Sequence, residues 1–209
     1  MSDLEKLSNV RGRIKNYDAV TIPNTDTRCG AVAVILSEDN SSNPDGIQLL
    51  FIKRANRSGD PWSGHLAFPG GRINVEDKDP RMAAERETKE EIGLELKGSE
   101  FFGQLDDLHT VTTSMLVSAF VYEIDYSSSF DVNTEVAEVF WYPISGLLYP
   151  QRHAMRRFDH RGVVETWPSV DLRLPNLPFL WGVTYRFIVH LLKLMSFPMP
   201  AITNTRLAD

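Results

Sequence analysis

Apolar residues recur along the chain with two periods, one typical of helices and one typical of strands. Helical spacing over residues 2–16 predicts an amphipathic N-terminal helix with apolar positions at Leu4, Leu7, Val10 and Ile14. The same spacing returns over residues 180–195, at Trp181, Tyr185, Ile188 and Leu192. We therefore expect one helix near each end of the chain.

Short apolar or alternating runs between these helices predict the strands of a sheet. The continuous apolar run over residues 30–36 is typical of a buried strand, and the polar turn at 37–46 predicts a hairpin partner over 47–53. Further strand patterns cover residues 65–68, 101–105, 115–126 and 135–142. Residues 143–149 are expected to form a short helical turn, and residues 152–164 either a basic loop or a hairpin.

A third helix is predicted between residues 80 and 93 by its end signals. Asp79 is a suitable N-cap, Pro80 suits the first helical position, and Gly93 is a suitable C-cap. Ala83 and Ala84 favour helix between those ends. The simplest assembly is a mixed sheet with this helix on one face and the last helix on the other.

The middle helix carries an unusual concentration of acid on one side. Glu87, Glu90 and Glu91 stand at i, i+3 and i+4 and share one face, where each like-charge pair costs roughly 0.2–0.5 kcal/mol. Three oxygen ligands on one face suit Mg²⁺ or Mn²⁺. The alternative is a solvated acidic face that Arg86 and Lys89 partly neutralise.

The segment just before the helix favours the metal interpretation. Residues 68–71 (FPGG) read as a strand end that runs into a glycine turn, where bare backbone can approach a ligand closely. A glycine turn that leads through one short loop into a helix of carboxylates is an arrangement for binding phosphate and metal.

Residues 68–94 resemble the Nudix hydrolase family, whose box reads G-x5-E-x7-R-E-U-x-E-E-x-G-U, with U a bulky apolar residue. The second half of the box matches at Arg86, Glu87, Glu90, Glu91, Gly93 and Leu94, with Thr88 at the apolar position. The first half is one residue longer between Gly71 and Arg86. Asp77, beside Glu76, stands near the place of the early glutamate.

The resemblance implies an α/β fold, a Nudix-like α/β/α sandwich with a mixed β-sheet. It also implies hydrolysis of a phosphoanhydride in a nucleoside diphosphate derivative, with Mg²⁺ or Mn²⁺ as cofactor. We expect the hydrolase domain to cover residues 28–195. Residues 1–27 would then form an N-terminal helical extension and loop, and residues 196–209 a C-terminal tail.

The same resemblance assigns roles within the box. The side-chain metal ligands would be Glu87, Glu90 and Glu91, and the carbonyl of Gly70 or Gly71 would complete the shell. Arg86 cannot lose its proton, so it would either orient a neighbouring carboxylate or simply pin the helix to the sheet. The predicted catalytic residues are thus Glu91, Glu90, Glu87 and Arg86. Glu91 is the first choice for the general base, with Glu135 and Glu138 as later candidates.

Residues before the box are similar to the coenzyme A diphosphatase branch of the family, whose additional motif is L-L-T-x-R-[SA], a variable stretch with another arginine, and G-x3-F-P-G-G. The matching residues are Leu49, Leu50, Arg54, Ala55 and Gly64, whereas Phe51 replaces the threonine and the spacing is one residue longer. Residues 133–141 and 180–184 are also similar. Coenzyme A is therefore the expected substrate, and the predicted substrate-binding residues are Arg54, Gly70, Gly71, Arg72 and His65.

Composition and charge restrict the other partners. A net charge of −6 provides no basic field for nucleic acid. The single cysteine, Cys29, excludes an intramolecular disulfide and fits a reducing compartment. No apolar run is long enough to span a membrane, and the N-terminus lacks the apolar core of a signal peptide. We expect a cytoplasmic enzyme that binds a nucleoside diphosphate-type small molecule, with a homodimer as one option.

Two other functions remain open from the sequence. One is a Nudix pyrophosphatase for ADP-sugars or dinucleotides, which a panel of substrates distinguishes from a coenzyme A diphosphatase. The other is a catalytically inactive Nudix-fold nucleotide-binding module. The complete set of box glutamates argues against the inactive module.

Overall fold

The computed structural model describes residues 7–23, 28–38, 46–60, 62–96, 101–110, 115–126, 128–160, 162–197 and 202. The helices are α1 (Leu7–Lys15), α2 (Pro80–Ile92) and α3 (Gly182–Leu194). The strands are β1 (Cys29–Glu38), β2 (Ile47–Arg54), β3 (Leu66–Ala67), β4 (Gly70–Arg72), β5 (Phe101–His109), β6 (Leu116–Glu123), β7 (Val136–Pro143), β8 (His153–His160), β9 (Val163–Val170) and β10 (Leu180–Trp181). A 3₁₀ turn, Ile144–Leu148, follows β7.

Seven strands form one mixed sheet. The order is β3-β2-β1-β6-β5, with β4 also paired to β1 and β7 also paired to β2. The β1–β6 pair is parallel, and the other pairs of this sheet are antiparallel. A parallel pair requires a crossover connection, and here the chain between β1 and β6 includes α2, the helix that carries the glutamates.

Helices cover both faces of this sheet. Along β1, Val34 and Leu36 belong to the apolar cluster that contains α1 and α3, whereas Ala33 and Ile35 belong to the cluster that contains α2. This alternation follows from the period of two in a strand, which sends successive side chains to opposite faces. The predicted α/β/α sandwich with a mixed sheet is confirmed.

The N-terminal helix is an integral part of the core. Leu7, Val10 and Ile14 are each at most 1% exposed, and they pack in the same apolar cluster as α3. The part of the predicted helix over residues 2–6 lies outside the described residues. So does most of the predicted tail, of which Phe197 and Ile202 pack against the core.

The C-terminal half contains a second sheet, of order β10-β9-β8. Of the two alternatives for residues 152–164, the structure has the hairpin, which is formed by β8 and β9. Leu180 pairs with Val170 in β9, so α3 begins at Gly182 rather than at residue 180. In the described part of the chain, no helix is long and apolar enough to cross a membrane.

Candidate active site

Helix α2 begins and ends at the predicted caps. The Asp79 side chain accepts a hydrogen bond from the backbone N–H of Met82, and Pro80 is the first helical residue. Gly93 adopts the left-handed conformation, with φ 69°, and ends the helix. Ala83 and Ala84 are fully buried against the sheet, which leaves the opposite side of the helix for charged residues.

The glycine segment is a strand rather than the predicted turn. In β4, Gly70 pairs with Val32 and Gly71 with Ala31 of β1. A Cβ atom on Gly70 would lie 2.3 Å from the Ala31 carbonyl oxygen, and its φ of +146° is one that other residues rarely adopt. Glycine is therefore required here for close strand packing, which the turn-like sequence did not indicate.

Glu91 is the most buried carboxylate of the box. Only 2% of the residue is exposed, and its Oε2 accepts a hydrogen bond of 2.8 Å from the Gly70 N–H. Burial raises the pKa of Glu91 from 4.5 to about 7, because the hydrogen bond from Gly70 and the charge of Arg54 offset only part of the lost solvation. The negative charges of Glu87 and Glu135 contribute to this same increase.

Glu87 faces the second glycine at close range. A Cβ atom on Gly71 would lie 2.4 Å from the Glu87 carboxyl carbon, so only glycine leaves room for this side chain. Arg86 donates a 2.9 Å hydrogen bond to Glu87 Oε1. Burial nevertheless raises the pKa of Glu87 above its ordinary value, against the lowering effect of Arg86.

Glu90 is the solvent-facing member of the three. Its side chain is 56% exposed, and its Oε2 accepts a 3.2 Å hydrogen bond from Arg86 Nη1. The same guanidinium nitrogen therefore contacts both Glu87 and Glu90. This contact holds the two carboxylates of the helix face close to one cation.

Arg86 connects the helix to the loop and strand that precede it. It donates two hydrogen bonds to the Asp77 carboxylate, of 3.0 Å and 2.9 Å, and one of 3.0 Å to the backbone carbonyl of Arg72 in β4. The paired hydrogen bond from Arg86 lowers the pKa of Asp77, and Asp77 raises that of Arg86. Arg86 therefore makes the contacts that both predicted roles require. It contacts box carboxylates, as orienting them requires, and it joins α2 to β4, as pinning the helix to the sheet requires.

The three glutamates do not form a closed cation cage by themselves. In the described residues, no three His, Cys, Asp or Glu side chains converge closely enough to hold a metal ion. Glu87 and Glu90 turn toward Arg86, and Glu91 turns toward the Gly70 N–H. The donor chemistry still fits a hard divalent cation, because buried carboxylates with raised pKa values lack sufficient positive charge nearby.

Two arginines, one at the end of β2 and one in the connection to β3, pair with acids near the box. Arg54 donates a 2.8 Å hydrogen bond to Asp60 and lies 3.9 Å from Glu91 Oε1. Arg57 donates a 2.8 Å hydrogen bond to Glu135, whose charge raises the pKa values of both Glu87 and Glu91. Glu135 is thus electrostatically coupled to the box.

The other predicted site residues take different positions. His65 contacts the rings of Trp62 and Trp181, at centroid distances of 5.8 Å and 5.2 Å. The Arg72 side chain is exposed, and its backbone carbonyl makes the contact to Arg86. Glu138 is exposed on β7, where it pairs in register with Lys53.

Sequence reasoning did not assign roles to two acids of the site. Asp77 stands in the sequence only near the place of a family glutamate, and the structure pairs it with Arg86, nine residues later. Asp60 had no motif to mark it. Its only signal was an acid six residues after Arg54 in a polar connection.

Comparison with known proteins places this geometry in context. Residues 27–164 match the NUDIX domain family. An uncharacterized protein of Schizosaccharomyces pombe is 33% identical, over 88% of this chain and 70% of that protein.

Two mammalian relatives have a named activity. The mitochondrial coenzyme A diphosphatase NUDT8 of Mus musculus is 31% identical over 71% of this chain and 70% of its own length. The human protein of the same name is also 31% identical, and the match covers 77% of this chain and 66% of the human protein.

A solved structure supports the fold. The MutT/nudix family protein from Enterococcus faecalis superposes with a TM-score of 0.55 and 18% identity, over 92% of this chain and 75% of that protein. At this level of identity the likeness concerns the architecture of the chain alone.

Proposed function

Because the chain belongs to the Nudix hydrolase family, we propose that it hydrolyses the phosphoanhydride of coenzyme A or its derivatives with the help of Mg²⁺ or Mn²⁺. The observation that carries the proposal is the pair of carboxylates Glu87 and Glu91, packed on Gly71 and Gly70 with raised pKa values. The glycines of β4 have no side chain to block a ligand, and the neighbouring carboxylate oxygens can bind divalent cations, so the arrangement suits a diphosphate in complex with those cations.

The cation ligands in this proposal are Glu87, Glu90 and Glu91, with the carbonyl of Gly71 completing the set. A divalent cation bound there would neutralise phosphate charge and lower the pKa of a coordinated water. Arg86 keeps its proton and orients Glu87 and Glu90 through its bonds of 2.9 Å and 3.2 Å. Asp77 in turn fixes the guanidinium plane of Arg86.

Glu91 is the proposed general base. Burial raises the pKa of Glu91 to about 7 in the metal-free protein, and a cation bound nearby would lower it again, so the carboxylate would be ionised and able to accept a proton from the attacking water. The water oxygen then forms a bond to one phosphorus, the bridging P–O bond breaks, and the bridging oxygen leaves with the other phosphate. The products from coenzyme A are a phosphopantetheine fragment and a nucleotide.

The choice of coenzyme A is supported by relatives and by residues outside the box. Two relatives over 30% identical are named as coenzyme A diphosphatases. Arg54, which matches the additional motif of that branch, ends β2 and lies 3.9 Å from Glu91. Residues 180–184, also similar to that branch, form β10 and the first turn of α3.

A substrate panel tests this proposal. The purified protein is incubated with Mg²⁺ or Mn²⁺ and coenzyme A, ADP-ribose or a diadenosine polyphosphate, and the products are identified by mass spectrometry. Use of ¹⁸O-water shows which phosphorus receives the oxygen. Rapid cleavage of coenzyme A is expected. Cleavage of ADP-ribose with coenzyme A untouched would reject the substrate, and no cleavage of any compound would favour a binding module.

Glu90→Gln separates chemistry from folding in the same assay. Glu90 is largely exposed, so the amide is expected to change stability little, within about 0.5 kcal/mol. Turnover is expected to be mostly lost, because a ligand charge disappears. Near-normal turnover of this variant would remove Glu90 from the cation site.

A further inference from the structure

Asp60 holds the side chain of Arg54 from one side. Its Oδ2 accepts a 2.8 Å hydrogen bond from Arg54 Nη2, and its Oδ1 accepts a 3.0 Å hydrogen bond from the Trp62 N–H. The Asp60 N–H donates to the Arg57 carbonyl, and the Asp60 carbonyl accepts from the Ser63 N–H. The carboxylate is therefore fixed by a tight turn rather than by a mobile side chain alone.

On its other side, Arg54 faces the buried carboxylate of Glu91. The distance from Arg54 Nη1 to Glu91 Oε1 is 3.9 Å, which allows charge attraction but exceeds a hydrogen bond. Glu91 uses its other oxygen, Oε2, to accept from Gly70. Arg54 Nε is buried and has no acceptor within the described part of the chain, so this guanidinium still has hydrogen-bonding capacity.

From this arrangement, which concerns the site of the proposed function, we propose that Asp60 is a positioning residue that holds Arg54 back from Glu91. A shift of about 1 Å would let Arg54 bond Glu91 directly, since hydrogen bonds of this type measure about 2.8 Å. Oε1 of Glu91 would then be occupied by a permanent cation. Asp60 keeps that oxygen available to a divalent ion while Arg54 still offsets part of its charge.

The test uses Asp60→Asn, which is nearly isosteric and whose side-chain oxygen can still accept from the Trp62 N–H. Binding of Mn²⁺ alone is measured by the loss of its free electron paramagnetic resonance signal, without substrate. In this variant Arg54 can contact Glu91 directly, and that contact is more attractive than the present one at 3.9 Å. Mn²⁺ must displace Arg54 from Glu91 to bind, so we expect Mn²⁺ affinity to fall roughly tenfold. Because Mn²⁺ competes with Arg54, higher Mn²⁺ should restore the rate of hydrolysis, which a merely structural defect would not allow.

A double-mutant comparison identifies the route. In an Arg54→Met background, no guanidinium can move onto Glu91, so Asp60→Asn should change Mn²⁺ affinity by less than twofold. The proposal is overturned if Asp60→Asn binds Mn²⁺ like the wild type. It is also overturned if the loss persists in the Arg54→Met background, since Asp60 would then act by another route.

Asp171→Asn is the matched control. Asp171 likewise accepts from the backbone N–H two residues later, that of Arg173 at 2.8 Å, and pairs with the Arg173 side chain at 3.2 Å. This variant is expected to bind Mn²⁺ and turn over substrate normally. A tenfold loss here as well would show that removal of any such pair has the effect, and would overturn the proposal.

The metal measurement separates this inference from the proposed substrate. Should coenzyme A prove inert while another diphosphate is cleaved, the proposed function fails, but the Mn²⁺ affinities of the Asp60 and Arg54 variants still decide the positioning role. Circular dichroism melts confirm that each variant is folded at the temperature used.

Discussion

Replacement of Gly71 by alanine perturbs the site through a single methyl group. The new Cβ would stand 2.4 Å from the Glu87 carboxyl carbon and 2.5 Å from Oε2. Carbon atoms pack at about 3.5–4.0 Å, so the carboxylate must retreat by more than about 1 Å. Gly71 is not among the glycines with positive φ, and its backbone therefore tolerates alanine.

The expected effect is large on activity and small on stability. A misplacement of about 1 Å in a catalytic arrangement costs about 10²-fold in rate, equivalent to roughly 2.7 kcal/mol of activation free energy. Loss of the Arg86–Glu87 hydrogen bond lowers the free energy of unfolding by about 1 kcal/mol. Alanine also reduces the conformational entropy of the unfolded chain, which offsets about 0.4–1 kcal/mol of that loss. The melting temperature should therefore change by only a few degrees.

The assay compares turnover, Mn²⁺ affinity and thermal melts of Gly71→Ala with those of two other glycine variants. Gly12→Ala lies in α1, where a Cβ meets nothing within 4 Å, so activity should be unchanged and stability slightly higher. Gly70→Ala meets the Ala31 carbonyl oxygen at 2.3 Å and should be strongly destabilised. Gly71→Ala with wild-type turnover and Mn²⁺ affinity would refute the role given to Glu87.

Three further outcomes are expected. Asp77→Asn should lower turnover roughly tenfold or more, measured at saturating metal, because the paired bond to Arg86 is lost; an unchanged rate would mean that Arg86 is held adequately by its other contacts. In EDTA, burial makes protonated Glu91 more favourable in the folded protein than in the unfolded chain, because its pKa rises from 4.5 to about 7 on folding. This contribution to the free energy of unfolding, on the order of 3 kcal/mol, is complete below pH 4.5 and is lost as pH rises through about 7. Urea unfolding of Glu91→Gln should lack this pH dependence, and the same pH slope in both proteins would contradict the burial argument. In the same urea unfolding assay, Phe51→Ala should lower the free energy of unfolding by about 3–5 kcal/mol, because Phe51 is fully buried and stacks on Phe68. A decrease below about 1 kcal/mol would contradict that packing.

Local rules were sufficient to predict the helix that carries the three glutamates and the strand β1 beside it. Asp79, Pro80 and Gly93 delimit α2 where their cap preferences place them, and the continuous apolar run over residues 30–36 forms the buried strand β1, as predicted. These features depend on neighbours within a few residues, for which sequence patterns are informative. The resemblance of the box then supplied the architecture that arranges the elements.

Contacts between distant segments could not be inferred in the same way. Gly70 and Gly71 look like a turn, yet pairing with β1, about 40 residues earlier in the chain, makes them a strand. The Asp60–Arg54 pair depends on how the β2–β3 connection folds back. Arg57 reaches Glu135 across 78 positions, a distance at which no local pattern operates.

The most direct test of the central claim is crystallography of the protein with Mn²⁺, using its anomalous scattering. The account predicts an anomalous peak within bonding distance of the carboxylates of Glu87, Glu90 and Glu91, near the Gly71 carbonyl. A peak elsewhere, or full Mn²⁺ occupancy in solution with no peak at these three carboxylates in the crystal, would contradict it.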